Sequence, residues 1–189
     1  MEKVVVSLGG SVLVPGENDA HHLRALSLLL GDLSKRAKLF VVTGGGRIAR
    51  YYIETGRAVG IGERTLDEFG IAVTRLNGRL LAATLAGRAN RDPVTSYAEA
   101  VRLARRYPIV IMAGTRPGHT TDRVSASLAR FVRATRIVNA TSVDGVYTAD
   151  PKKNRDAKLI ERMQFADLIR IAGRGHVAAG PSIVFDPVA

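Results

Sequence analysis

Four short apolar runs, each set off by stretches with helical spacing, do most to limit what this chain can become. Val4-Val5-Val6-Ser7-Leu8 and Leu39-Phe40-Val41-Val42 have the length and apolar content of buried strands, and Ile109-Val110-Ile111-Met112 and Arg136-Ile137-Val138-Asn139-Ala140 read as two more strands. Between them, apolar residues recur every three or four positions. Asp19 is positioned to cap a helix that carries Leu23, Leu26, Leu30 and Leu33 on one face. Residues 48–59 show the same spacing, and residues 63–85 form a long pattern through Leu66, Phe69, Val73, Leu76 and Leu80. Ser96 with Glu99 predicts a capping box for a short basic helix ending near Tyr107, and Val124, Leu128 and Phe131 mark one more helix. Strands alternating with helices predict a single α/β domain over residues 1–189, a three-layer αβα sandwich with a mainly parallel central sheet.

In such sheets ligands bind beyond the carboxyl ends of the strands. Three of the four runs exit there into glycine-bearing loops: Gly9-Gly10, Gly44-Gly45-Gly46 and Gly114 to Gly118. The fourth exits into Thr141-Ser142-Val143-Asp144-Gly145-Val146-Tyr147. Convergence of these loops on one edge predicts a phosphorylated or other anionic ligand, because free backbone N–H groups and helix N-termini favour negative charge. The third loop, through His119, Thr120, Thr121 and Asp122, has the form of a glycine turn and a capped helix start; a plain connection is its competing reading.

A formal net charge of +11 would attract polyanions, so nucleic acid has to be weighed. The arginines are scattered through helical segments and aromatics are few, which disfavours nucleic-acid binding as the main function. The absence of cysteine excludes disulfides, thiolate metal sites and cysteine nucleophiles. No apolar run approaches the roughly 20 residues that span a bilayer, and the first residues lack the pattern of a signal peptide. A cytoplasmic protein with no membrane partner is the expectation.

No G-x-x-x-x-G-K-[ST] sequence is present, which excludes the usual P-loop. Gly44-x-Gly46-x-x-Ala49 fits a relaxed dinucleotide fingerprint, but that reading expects an acidic residue closing the next strand, and Asp67 lies in a helical pattern. Three successive glycines instead let a bulky anion approach the backbone, with Arg50 one helical turn on to neutralise it. Asp67 is either a solvated first-turn carboxylate or an acceptor for ligand hydroxyls. His119 divides between loop structure and ligand contact, and His176 reads as structural; neither has partners at metal-ligand spacing, so no protein-held metal is expected. Asp144 and Asp150 are the carboxylates best placed to work beside a metal–phosphate complex, with turn formation by Asp144-Gly145 as the alternative.

Taken in order, four stretches resemble the amino-acid-kinase superfamily and, within it, the archaeal-type uridylate (UMP) kinases. They are Leu8-Gly9-Gly10-Ser11-Val12-Leu13, the run from Val41 through Gly44-Gly45-Gly46 to Arg50, Gly114-Thr115-Arg116-Pro117-Gly118-His119-Thr120-Thr121-Asp122, and the run from Thr141 to Lys153. Asp144-Gly145-Val146-Tyr147 marks the superfamily, and Pro117-Gly118-His119-Thr120-Thr121 with the three glycines narrows it to UMP kinase. The resemblance implies the amino-acid-kinase (carbamate-kinase-like) fold and transfer of the γ-phosphoryl group of ATP, with magnesium, to UMP, giving UDP and ADP in pyrimidine nucleotide biosynthesis. It implies that Gly9, Gly10, Ser11, Gly46 and Arg50 meet the ATP phosphates, and that Thr141, Tyr147 and Asp150 form the adenosine side. Gly45, Asp67, Thr115, Arg116, Pro117, Gly118, His119, Thr120 and Thr121 would hold UMP, with Arg50 and Asp144 in catalytic roles. Members assemble as dimers and hexamers, with the long helix of residues 63–85 at the dimer contact.

Three departures stand beside the resemblance. Many members carry a lysine in the first strand, where this chain has Ser7; Lys3 lies further back, which leaves Arg50, Lys152 and Lys153 as candidate phosphate cations. Ser142 replaces the asparagine usual after Thr141. Members continue for a further helix, strand and tail, so the chain is expected to lack those last elements. A related kinase acting on another small phosphate or carboxylate, and a non-catalytic nucleotide-binding regulator, are the alternative readings.

Overall fold

The computed structural model describes residues 1–141, 144–149 and 154–172. All four apolar runs are strands: β1 (Glu2–Leu8), β2 (Ala37–Thr43), β3 (Ile109–Met112) and β4 (Arg136–Ala140), parallel and in the order β3-β2-β1-β4. Leu8 pairs with Thr43 on one side and Ala140 on the other, and Val42 pairs with Met112, so the carboxyl ends share one edge. The helices are α1 (Gly10–Leu13), α2 (Asp19–Leu33), α3 (Gly46–Ala58), α4 (Glu63–Thr84), α5 (Tyr97–Leu103), α6 (Thr121–Val132) and α7 (Phe165–Ala172). A small antiparallel pair, β5 (Val146–Tyr147) with β6 (Leu159–Ile160), follows the sheet.

Alternation along the strands builds one core on each face of the sheet. Val4, Val6, Leu8, Leu39, Val41, Ile109 and Ile111 pack with Leu23 and Leu30 of α2 and Leu81 of α4. Val5, Phe40, Val42, Val110 and Met112 pack on the opposite face with Ala100 of α5 and Val124, Leu128 and Val132 of α6. These side chains are buried, each stabilising the fold by about 1.5–3 kcal/mol for the larger aliphatics. The outer side of β3 is covered by residues 89–94, where the Asn90 amide donates to Ile111 O at 2.9 Å and accepts from Ile111 N at 2.7 Å.

Several local expectations are corrected. Asp19 does not cap α2: Asn18 holds the N-cap position in a left-handed conformation, and Asp19 accepts instead from Gly16 N at 2.7 Å. Leu33 faces solvent while Leu23 and Leu30 are buried. Ser96 precedes α5 but makes no capping bond, and Glu99 pairs with Arg102 at 3.2 Å rather than reaching back. Phe131 is exposed and rests on Tyr97, with ring centroids 5.8 Å apart. In α4, Leu66 and Val73 are buried, but Phe69, Leu76 and Leu80 are exposed; the inner face is made instead by Thr74, Asn77, Gly78 and Leu81. Rotating the helix that way presents polar groups to the loops at the sheet's carboxyl edge.

Candidate active site

Two glycine loops meet backbone to backbone at that edge. A Cβ added at Gly10 would lie 2.3 Å from Gly46 N and 2.7 Å from Gly44 O, so any other residue there must push a backbone aside. Gly46 opens α3 at φ 65°, the left-handed region that suits glycine. Gly44 N donates to Leu8 O at 2.9 Å and Gly9 N donates to Ala140 O at 3.2 Å, which stitches the exits of β1, β2 and β4 together. Ser11 is half-buried in α1, and Gly45 is half-buried at the start of α3. Arg50 is exposed one turn into α3, and among the described residues no salt bridge engages it.

The long helix buttresses this junction from beneath. Buried Asn77 donates from Nδ2 to Gly44 O at 2.8 Å and to Gly45 O at 3.3 Å. Thr43 Oγ1 donates to Thr74 O at 2.9 Å, while Thr74 Oγ1 accepts from Gly114 N at 2.9 Å and donates to Ile71 O at 2.7 Å. The bonds tie the second and third loops to one helix and satisfy polar groups that burial would otherwise penalise. Sequence reasoning passed over Thr74 and Asn77. Their signal is two polar residues three apart on the inner side of an otherwise apolar helical pattern.

The third loop closes against the N-terminal turns of α4. Gly118 N donates to Asp67 Oδ2 at 2.9 Å, so the half-buried Asp67 holds the loop that runs through exposed Arg116 and Pro117. Thr120 Oγ1 accepts from Arg123 N at 3.1 Å and caps α6. Thr121 Oγ1 reaches the second loop, 3.2 Å from where a Cβ on Gly44 would stand. Arg116 Nε donates to His119 Nε2 at 3.0 Å, which requires a neutral imidazole with its proton on Nδ1, 3.5 Å from Thr115 Oγ1. Burial, and then the Arg116 and Arg123 charges, push His119 below the usual histidine range.

At the position where the resemblance expects a lysine, Ser7 Oγ donates to Asp122 Oδ1 at 3.0 Å. Lys3 is not available to the site, because its ammonium donates to Val132 O at 2.8 Å at the other end of the sheet. Thr141 leaves β4 beside Gly9 and is exposed. Asp144, also exposed, accepts from the Tyr147 hydroxyl at 3.4 Å. Ser142, Asp150, Lys152, Lys153 and His176 lie outside the described residues. Among the described residues no three His, Asp or Glu side chains gather to hold a metal, and no helix is long and apolar enough to cross a membrane.

Comparison with known proteins agrees with this geometry. Residues 2–189 match the amino acid kinase family. The chain is 42% identical over 187 residues to the uridylate kinase of Archaeoglobus fulgidus, covering 99% of this chain and 84% of that protein. It is 46% identical over 189 residues to the uridylate kinase of Methanoculleus marisnigri, covering 100% and 80%. The crystal structure of the Archaeoglobus fulgidus uridylate kinase matches with a TM-score of 0.86 at 39% identity, over 100% of this chain and 86% of that one. A UMP kinase from Bacillus anthracis shares the fold at 23% identity, with a TM-score of 0.76 over 89% and 77% of the two chains. With the sheet order, the apposed glycine loops and a match along nearly its whole length, the chain belongs to the amino acid kinase family.

Proposed function

We propose that the protein is a UMP kinase, transferring the γ-phosphoryl group of ATP to UMP to give UDP and ADP. The observation that carries the reading is the abutment of Gly10 on Gly44 and Gly46, opposite a loop held by Asp67. In the reaction a phosphate oxygen of UMP attacks the γ-phosphorus while the bond to the β,γ-bridging oxygen breaks and ADP keeps the electron pair. Such a transfer needs little covalent help; it needs two phosphates aligned and their charge neutralised.

Each group then has a task. Gly10, Ser11 and Gly46 offer backbone N–H groups to the ATP phosphates, Gly9 shapes the turn that presents them while its own N–H stays with Ala140 O, and Arg50 adds a mobile cation. Thr141 and Tyr147 border the adenosine side, with Asp144, which accepts from the Tyr147 hydroxyl, in a catalytic role beside it. Gly45, Thr115, Arg116, Pro117, His119, Thr120 and Thr121 enclose the UMP phosphate and ribose. Asp67 can keep its Oδ2 bond to Gly118 N while Oδ1 accepts from a ribose hydroxyl. Magnesium on ATP would neutralise the transferred phosphates, and such an ion is typically held by one or two carboxylates together with phosphates and waters; of the described carboxylates near this edge, Asp122 and Asp144 would take that part, Asp67 being engaged with Gly118. A cytoplasmic homo-oligomer, paired through α4, goes with the reading.

The test is ADP release, followed by a coupled assay with ATP, magnesium and a panel of UMP, CMP, AMP, GMP, isopentenyl phosphate and small carboxylates. UMP is expected to be the preferred acceptor. Binding of UMP without ADP release would overturn the kinase reading, and faster turnover of another acceptor would overturn the assigned substrate.

A further inference from the structure

The edge opposite the glycine loops, where the strands begin, gathers charge that is scattered in sequence. Lys35-Arg36 precede β2, Arg105-Arg106 precede β3, and Arg133 and Arg136 flank the start of β4. Parallel pairing brings these three entries to one side: Glu2 stands beside Ala37, Val4 beside Arg136, and Leu39 beside Ile109. With strands about 4.8 Å apart, the row of four spans about 15 Å. Only two of the six cations meet a carboxylate, Lys35 with Asp32 at 2.7 Å and Arg136 with Glu2 at 3.4 Å. Arg36, Arg105, Arg106 and Arg133 are in no salt bridge among the described residues, and each is exposed. The local field is felt by Asp32: its bond to Lys35, with the charges of Arg88 and Arg36, holds it below the usual carboxylate range.

Helix C-termini account for part of this. The carbonyl ends of α2, α5 and α6 fall on the same edge, and a cation near each offsets the helix dipole. Arg102 and Arg130 already fill that role within the last turns of α5 and α6. The four unpaired arginines lie beyond the helix ends and exceed that need. Arg106 also lies over the Tyr107 ring, 5.3 Å from its centroid. An arginine stacked on an aromatic ring beside a row of guanidinium forks suits phosphodiesters and bases.

We propose that this edge is a sequence-independent docking surface for a single-stranded nucleic-acid backbone, remote from the glycine-loop site. The test uses the full chain and a fluorescent oligothymidylate of about 20 nucleotides, longer than the site that a single-strand-binding OB fold covers, with UMP and ADP present to occupy the nucleotide sites. Anisotropy is measured against salt. Four phosphate contacts give a log–log slope of about −3, a roughly 50-fold loss of affinity between about 50 and 200 mM salt. Combining Arg36→Gln, Arg105→Gln and Arg106→Gln should reduce the slope to about −1 without changing the thermal transition. The control combination Arg24→Gln, Arg64→Gln and Arg162→Gln removes equal charge elsewhere and should leave the slope in place. Equal loss in both variants would show diffuse attraction and overturn the proposal. So would a wild-type chain that binds no oligonucleotide, or that binds only anionic phospholipid vesicles.

Discussion

Asp67 uses one carboxylate oxygen to hold Gly118, and if the other meets UMP as proposed, Asp67→Asn should affect UMP and spare ATP. Losing a charge-assisted bond costs about 1.5–3 kcal/mol, which predicts a KM for UMP raised about 10- to 150-fold with the KM for ATP nearly unchanged. Equal effects on both would place Asp67 outside the acceptor side. Arg50 is exposed and, among the described residues, in no salt bridge, so Arg50→Ala should leave the thermal transition alone and lower kcat by about 10³, the scale of a transition-state arginine. An unchanged kcat would show that another cation neutralises the transferred phosphate. His119 sets a pH dependence. The folded protein holds it below its ordinary value near 6.5, so as pH falls the unfolded chain takes up the proton first. Stability from the neutral, Arg116-bonded ring is therefore complete above about pH 6.5 and is lost as pH drops towards the lowered value. Urea midpoints at mildly acidic and neutral pH should rise with pH more in wild type than in His119→Gln; parallel profiles would refute the link.

At the scale of elements, α4 organises the site because its inner face is partly polar. Asn77→Ala leaves Gly44 O and Gly45 O without their side-chain donor and should destabilise the fold by about 1–3 kcal/mol, read as a lower urea midpoint with an unchanged slope. It should also raise the KM for ATP, since the second loop loses its support; a loss of stability alone would assign Asn77 a purely structural role. The strands and glycine loops were legible in the sequence. β1, β2 and β3 are buried and read as unbroken apolar runs, whereas β4 keeps Ile137 and Val138 exposed and carries Arg136 and Asn139; Gly10 and Gly46 occupy places that other residues do not fit. What pattern could not supply were bonds between residues far apart in the chain, such as Ser7 with Asp122 or Thr74 with Gly114. The cap expected at the third loop formed at Thr120, while those expected at Asp19 and Ser96 did not. A carboxylate at a helix start can serve the preceding loop as well as the helix, and Asp19 serves the loop at Gly16.

At the scale of the whole molecule, the same rotation of α4 that buries Thr74 and Asn77 leaves Phe69, Leu76 and Leu80 outside, at 37%, 62% and 41% exposure. Their spacing of seven and four residues lines one helix face. Tyr51 and Tyr52 of the neighbouring α3 are also exposed and pack edge to face at 5.8 Å. Apolar surface of this kind, contiguous along a helix, is characteristic of association sites. Pairing two copies through α4 would bury it and would brace the helix that carries Asp67, Thr74 and Asn77, so assembly and substrate binding should be coupled. Leu76→Glu combined with Leu80→Glu is expected to shift the mass in light scattering from an oligomer to a monomer. Because both side chains lie outside the core, the circular dichroism spectrum should stay native, while the KM for UMP rises as α4 loses its brace. A wild-type chain that remains monomeric at all concentrations would sink the pairing. A monomeric variant with unaltered kinetics would keep the pairing but break its link to the site.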